Sequence, residues 1–145
     1  MDTYETFHDV LVRLFNDIMS IEEKAIITEE FQDISNNDMH IIEAIGIGEP
    51  KNMSTVAKAL SITVGTLTIA INNLVKKGYV ARVRSERDRR VVLTSLTEKG
   101  KKAYRHHENF HKEMIEATID GLSAHETEVL VKALTNLKEF FNHYR

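Results

Sequence analysis

Ser54-Thr-Val-Ala-Lys-Ala-Leu-Ser-Ile-Thr63-Val-Gly-Thr-Leu-Thr-Ile-Ala-Ile-Asn-Asn-Leu-Val-Lys-Lys-Gly78 decides the fold. Its first seven residues suit a short helix with Ser54 as the capping hydroxyl, and the Ser61-Ile62 step leaves room only for a tight turn. Thr63 can then cap a second helix. In that helix Leu67, Ala70, Ile71 and Leu74 recur at three- and four-residue steps, and Gly78 supplies the stop. Two short helices joined in this way are a helix-turn-helix.

Tyr79 to Arg84 and Arg90 to Leu96 read as two strands rich in β-branched and basic residues. They enclose a charged tip. Arg82-Val-Arg-Ser-Glu-Arg-Asp-Arg-Arg90 holds five arginines in nine residues. Like charges crowded on a turn repel and do nothing for folding, so the cluster points to an external polyanion. The chain carries a net charge of -3, yet residues 76–105 hold eleven Lys/Arg against three acids, a local +8. One basic face on an acidic body is the footprint of a phosphate-backbone binder.

Outward from this core the chain reads as long helices, since 145 residues contain only one proline and six glycines. Phe7, Val10, Leu11, Leu14, Phe15, Ile18 and Ile21 line one side of a helix over about 3–25. Ser35 or Asn36 caps another, which carries Met39, Ile42 and Ile45 and ends near Gly46 or Gly48. Thr97 caps a long helix to about Ile119, Gly121 breaks it, and Ser123 with Glu126 has capping-box spacing for a last one. There Leu130, Ala133, Leu134, Leu137, Phe140, Phe141 and Tyr144 form an apolar stripe that a partner subunit would cover. The expected class is mainly α with a small β wing.

Composition removes several function classes. Without cysteine there are no disulfides and no thiolate metal sites. No glycine-rich phosphate loop, nucleophile elbow or supported carboxylate pair occurs, so the chain is expected to be no enzyme and to need no cofactor. Neither a membrane-spanning apolar run nor a signal-peptide pattern appears, which leads to the expectation of a cytoplasmic protein without a membrane partner.

At 100° per residue, the outer side of the second helix presents Gly65, Ile69, Asn72 and Lys76, flanked by Thr66, Thr68 and Asn73. Asn72 or Asn73 can read adenine with two hydrogen bonds, while Ile69, Val64 and the threonine methyls suit thymine methyl groups, so an A·T-rich operator is expected. Gly65 is either a point of close backbone approach to phosphate or a glycine tolerated in a first turn. Ser54, Lys58 and Thr63 are candidate phosphate anchors. Arg84, Arg87, Arg89 and Arg90 suit a narrow minor groove, where negative potential concentrates.

Five segments, Ser54-Thr-Val-Ala-Lys-Ala-Leu60, Thr63-Val-Gly-Thr-Leu-Thr68, Leu74-Val-Lys-Lys-Gly-Tyr-Val80, Asp88-Arg-Arg90 and Leu96-Thr-Glu-Lys-Gly100, in this order closely resemble the MarR family of winged helix-turn-helix transcription regulators. The resemblance spans essentially the whole chain. It implies a single domain over 1–145, with a winged helix-turn-helix core at about 35–98 and dimerisation helices at about 3–25 and 98–144. It also implies a homodimer on double-stranded DNA and an imperfectly palindromic operator. Asp88 would orient the wing by pairing with an arginine. Ile69 stands where many members have arginine, which puts guanine readout by that position in doubt.

Within the family, Asp33-Ile-Ser35 with Met39-His40, the Asn72-Asn73-Leu74 step and the arginine-rich tip resemble repressors of fatty-acid synthesis genes in Gram-positive cocci. Such a repressor would bind DNA more tightly with acyl carrier protein bearing a long acyl chain. Phe15, Ile18, Ile27, Phe31, Met39 and Ile42 are the candidates to wall an acyl cavity that the resemblance implies, although an apolar set of this kind ordinarily reads as core. Lys101, Lys102, Arg105 and Lys112 are candidates to dock the acidic carrier, and serve as well for phosphate contacts or as solvated charges.

Two other effectors remain open: a small apolar ligand that releases the protein from DNA, and zinc. His107 and His111 are four residues apart, with His106 beside them and His40 and Glu22 or Glu23 on earlier helices. Nitrogen and oxygen donors of this kind suit Zn²⁺, and zinc-responsive MarR-family repressors use a similar set. The alternative reading of these histidines is a row of surface residues on an exposed helix.

Overall fold

The computed structural model describes residues 2–26 and 30–144. Asp2 caps α1 (Thr3–His8) by accepting the Glu5 N–H at 2.7 Å. The chain continues through a π-helical stretch (Asp9–Leu14) into α2 (Phe15–Ile26). The helix expected over 3–25 therefore exists, with a widened turn in its middle that a single period of 3.6 does not foresee.

Ser35 and Asp38 form a capping box at the start of α3 (Asn36–Ile45), and Gly46, at φ +70, closes it. A two-residue strand, β1 (Lys51–Asn52), precedes α4 (Met53–Leu60). Here the sequence reading needs correction. Asn52 is the cap, its Oδ1 accepting the Thr55 N–H at 2.7 Å, while Ser54 lies inside the helix. Ser61, in the left-handed region at φ 56, ends α4. Thr63 then caps α5 (Val64–Lys76), as its sequence indicated, and the two helix axes bend by 106° at this step.

β2 (Val80–Arg84) and β3 (Val92–Leu96) pair antiparallel, from Val80 opposite Leu96 to Arg84 opposite Val92. Both strands are shorter than the sequence suggested. β1 joins the other edge of β3, so the sheet order is β1-β3-β2. Thr94, fully buried on β3, donates its hydroxyl to the Lys51 carbonyl at 3.0 Å and ties that edge down. α6 (Glu98–Ile119) and α7 (Ala124–Asn142) complete the chain, and Ser123 with Glu126 forms the expected capping box for α7.

Leu67, Ile71 and Leu74 of α5 have no solvent exposure and pack with Met39, Ile42 and Ile45 of α3, Val56 of α4, and Tyr79, Val80, Leu96 and Ala103. Each such side chain contributes about 1.5–3 kcal/mol on burial. The core therefore holds α5 by its inner side and leaves the outer side free.

Tyr79 gathers three further attachments. Its hydroxyl donates to Asp33 at 2.6 Å, its ring lies 4.5 Å beneath the Lys99 ammonium, and its carbonyl accepts the Thr97 N–H at 3.0 Å. Gly100 passes so close that a Cβ there would stand 2.1 Å from the Tyr79 oxygen. α6 can begin against the foot of the wing only because this position lacks a side chain.

The chain divides into two compact units, residues 1–109 and 110–145. In the first, Phe7, Val10, Leu11, Leu14 and Phe15 are exposed along α1, the π stretch and α2. In the second, Met114, Ile115, Leu134, Phe140, Phe141 and Tyr144 are exposed. Among the described residues, no single helix is long and apolar enough to cross a membrane.

Candidate nucleic-acid interface

The outer side of α5 carries Val64, Gly65, Thr66, Thr68, Ile69, Asn72, Asn73 and Lys76, all exposed. The structure thus brings together the whole set that the sequence assigned to this face. Ile69 is its most prominent apolar side chain, at 67% exposure. Two of the hydroxyls have local work. Thr63 Oγ1 accepts the Thr66 N–H and lies 2.9 Å from Thr66 Oγ1, and Thr68 Oγ1 donates to the Val64 carbonyl at 2.8 Å. These hydroxyls are thus engaged within the first turns of the helix itself. Ser54 and Lys58 are exposed on α4, ahead of the turn into α5.

The wing tip is braced internally. The Ser85 N–H donates to the Val91 carbonyl and the Val91 N–H to the Asp88 carbonyl, each at 2.9 Å. Asp88 Oδ1 accepts from the Arg90 backbone N–H at 3.1 Å and from its Nε at 3.0 Å, while Oδ2 accepts from Nη2 at 3.1 Å. Those bonds hold the Asp88 carboxyl below the usual range and push the Arg90 guanidinium up. Arg84 Nη1 donates to the Arg89 carbonyl at 2.8 Å. Arg87 and Arg89 project from this frame, exposed. Two of the four wing arginines therefore order the tip, and two extend beyond it.

Arg82 is the residue that sequence reasoning passed over. Its Nη2 donates to the Asn72 Oδ1, so the foot of the wing is tied to the outer side of α5. The strand period was the available signal, because Arg82 shares a face of β2 with buried Val80. An asparagine that reads adenine uses both its amide oxygen and its amide nitrogen, and here one lone pair of the oxygen already serves a guanidinium.

Of the candidate effector residues, Phe31, Met39 and Ile42 are consumed by the core. Phe15 is exposed on α2, Ile18 is half-buried, and Ile27 lies outside the described residues. Lys101 is 3.5 Å from Glu98, and Lys102 is 3.9 Å from Glu30. Arg105 and Lys112 are exposed on α6.

The histidines separate into different settings. His40, exposed, lines a groove of about 280 Å³ with Asn37, Ile41, Leu60, Ile62, Thr66 and Ala70, between α3, α4 and α5. His107 is 1% exposed, so it is not the surface residue that one reading of the sequence allowed. Its Nε2 lies 2.6 Å from Glu43 Oε1 of α3 and 3.3 Å from Glu22 Oε1 of α2. Tetrahedral Zn²⁺ at about 2.0–2.1 Å sets ligand atoms about 3.3 Å apart, a spacing that Glu22 meets and Glu43 does not. The Glu43 separation is that of a close ion-pair contact. His111 follows one turn further along α6, and the side chain of Glu23 is outside the described residues.

Residues 32–91 match the model of the MarR family. The chain is 44% identical to Streptococcus pneumoniae FabT, whose crystal structure was solved in complex with DNA; the alignment covers 98% of this chain and 99% of that one, with a TM-score of 0.86. It is 25% identical to the regulator PchR of Bacillus subtilis over 93% of this chain and 87% of PchR. The DNA complex of Staphylococcus aureus MepR shares the fold at 22% identity and a TM-score of 0.68, covering 97% of this chain and 99% of that one. A recognition helix held from behind, a braced basic wing and these similarities agree: the chain belongs to the MarR family of DNA-binding transcription regulators and is not an enzyme.

Proposed function

We propose that this protein is a cytoplasmic homodimeric repressor of fatty-acid biosynthesis genes that binds an A·T-rich palindromic operator, its affinity raised by acyl carrier protein bearing a long acyl chain. The 44% identity to FabT over nearly the full length carries the reading. The winged helix-turn-helix core, about 35–98, docks α5 in a major groove and lays Arg84, Arg87, Arg89 and Arg90 along the adjacent minor groove. A second copy covers the exposed apolar side chains of the helices at about 3–25 and 98–144.

For the corepressor, the basic run Lys101, Lys102, Arg105 and Lys112 supplies a surface for an acidic carrier. The test is operator affinity with the protein alone, with acylated carrier and with unacylated carrier. Tighter binding with the acylated carrier only is expected; equal affinity in all three arms overturns the lipid-linked reading.

A second reading is favoured by the Glu22 spacing at buried His107, in which Zn²⁺ is the effector and His107 and Glu22 are among its ligands. A Zn²⁺ arm in the same titration separates the two. Tightening with the metal alone would replace the carrier by zinc.

A further inference from the structure

We infer that Arg82 and Asn72 form one reading unit that selects guanine, and that Arg82 thereby sets the base preference of the recognition helix. The inference rests on α5 being the helix that enters the major groove. Asn72 stands exposed at the middle of its outer side, between Ile69 and Lys76. Its amide orientation follows from its partner: a guanidinium has donors and no acceptor, so the oxygen must face Arg82 and the Nδ2 amino group must point away.

The pair then offers mostly donors, from Asn72 Nδ2 and from the remaining N–H groups of Arg82, with the second lone pair of Oδ1 as its single acceptor. Two adjacent acceptors on a base edge in the major groove are the N7 and O6 of guanine. Adenine fits less well, because its N6 amino group would have to share Oδ1 with a guanidinium that already donates to it. Ile69 has no donor at all, so the pair supplies a guanine-reading group that α5 would otherwise lack on this row.

Freed from Arg82, the Asn72 amide would offer both of its groups and adenine would become its best partner. A preference for A·T pairs over most of the site is compatible with this, because Ile69, Val64 and the threonine methyls lie at other positions of the face.

The test is selection of binding sites from a random duplex library by the wild-type protein, Arg82→Ala and Asn72→Ala, with unfolding midpoints recorded for each. Both side chains are exposed, so all three proteins should fold alike. The wild type is expected to enrich a guanine at one position of each half-site, preferred over adenine by about tenfold. Arg82→Ala should turn that position to adenine, and Asn72→Ala should leave it unselective. The same enriched base in wild type and Arg82→Ala, or adenine at the Asn72-dependent position in wild type, overturns the pair while leaving DNA reading intact. No enrichment by the wild type would instead remove the DNA-docking assignment, and the pair with it.

Discussion

The Tyr79 hydroxyl donates to the Asp33 carboxylate at 2.6 Å, joining positions 46 residues apart in the chain. The bond holds the Asp33 carboxyl below its ordinary value, while burial and the same bond push the Tyr79 phenol up. A depressed carboxyl contributes stability above its unfolded value of 3.8, and that contribution is lost as the pH falls through the lower folded value. Tyr79→Phe should therefore cost about 1 kcal/mol at pH 7, with the gap to wild type narrowing toward pH 3. Urea unfolding at the two pH values checks this. A gap that is constant with pH would mean that Tyr79 stabilises through packing alone.

Gly100 lies within α6, where glycine to alanine ordinarily gains about 1 kcal/mol. Here the sign should reverse. The added methyl would meet the Tyr79 carbonyl oxygen at 2.1 Å and the Leu96 Cβ at 3.2 Å. Gly100→Ala is expected to lower stability by about 1–3 kcal/mol, as overpacking does, and a raised unfolding midpoint would show that α6 can lift away without cost.

At the wing, charge and geometry predict opposite results for one substitution. Asp88→Ala removes a negative charge from a basic tip, which by Coulomb's law alone should tighten DNA binding. It also frees the Arg90 side chain and its backbone N–H. Weaker binding is expected, since an ordered guanidinium loses less freedom on meeting phosphate. Arg87→Ala and Arg90→Ala should each flatten the salt dependence by about one unit of slope for every phosphate no longer neutralised. Affinity measured at several salt concentrations decides all three.

Leu134 and Phe140 are 53% and 54% exposed on α7. If a second copy covers them, Leu134→Glu should shift the protein from dimer to monomer in sedimentation at micromolar concentration. An unchanged mass would place the dimer interface on other residues.

Much of the core was legible because it obeys simple periods. Leu67, Ile71 and Leu74 announced the buried side of α5, and the Thr63 and Ser123 caps lay where side-chain oxygens precede apolar rows. Asn52 and Ser54 are both good caps two residues apart, and local preference could not rank them; the structure takes Asn52. β1 is too short to show alternation. His107 was hidden by its polarity, although Gly100, Ala103 and His107 recur at the helical spacing of an inward row. The strand period could place Arg82 on the Val80 face of β2, but its partner Asn72 on α5 follows only from how the strand and the helix pack.

Residues 9–14 make the wider i→i+5 turn of a π-helix, a form that accommodates one amino acid beyond the α-helical count. In terms of sequence length, the segment is an insertion absorbed without a loop. Removing one residue between Asp9 and Leu14 would let the turn tighten to ordinary α-helix, while α2 kept its rotational phase. The amino-terminal helix thus carries its own place for a change in length, apart from α4 and α5.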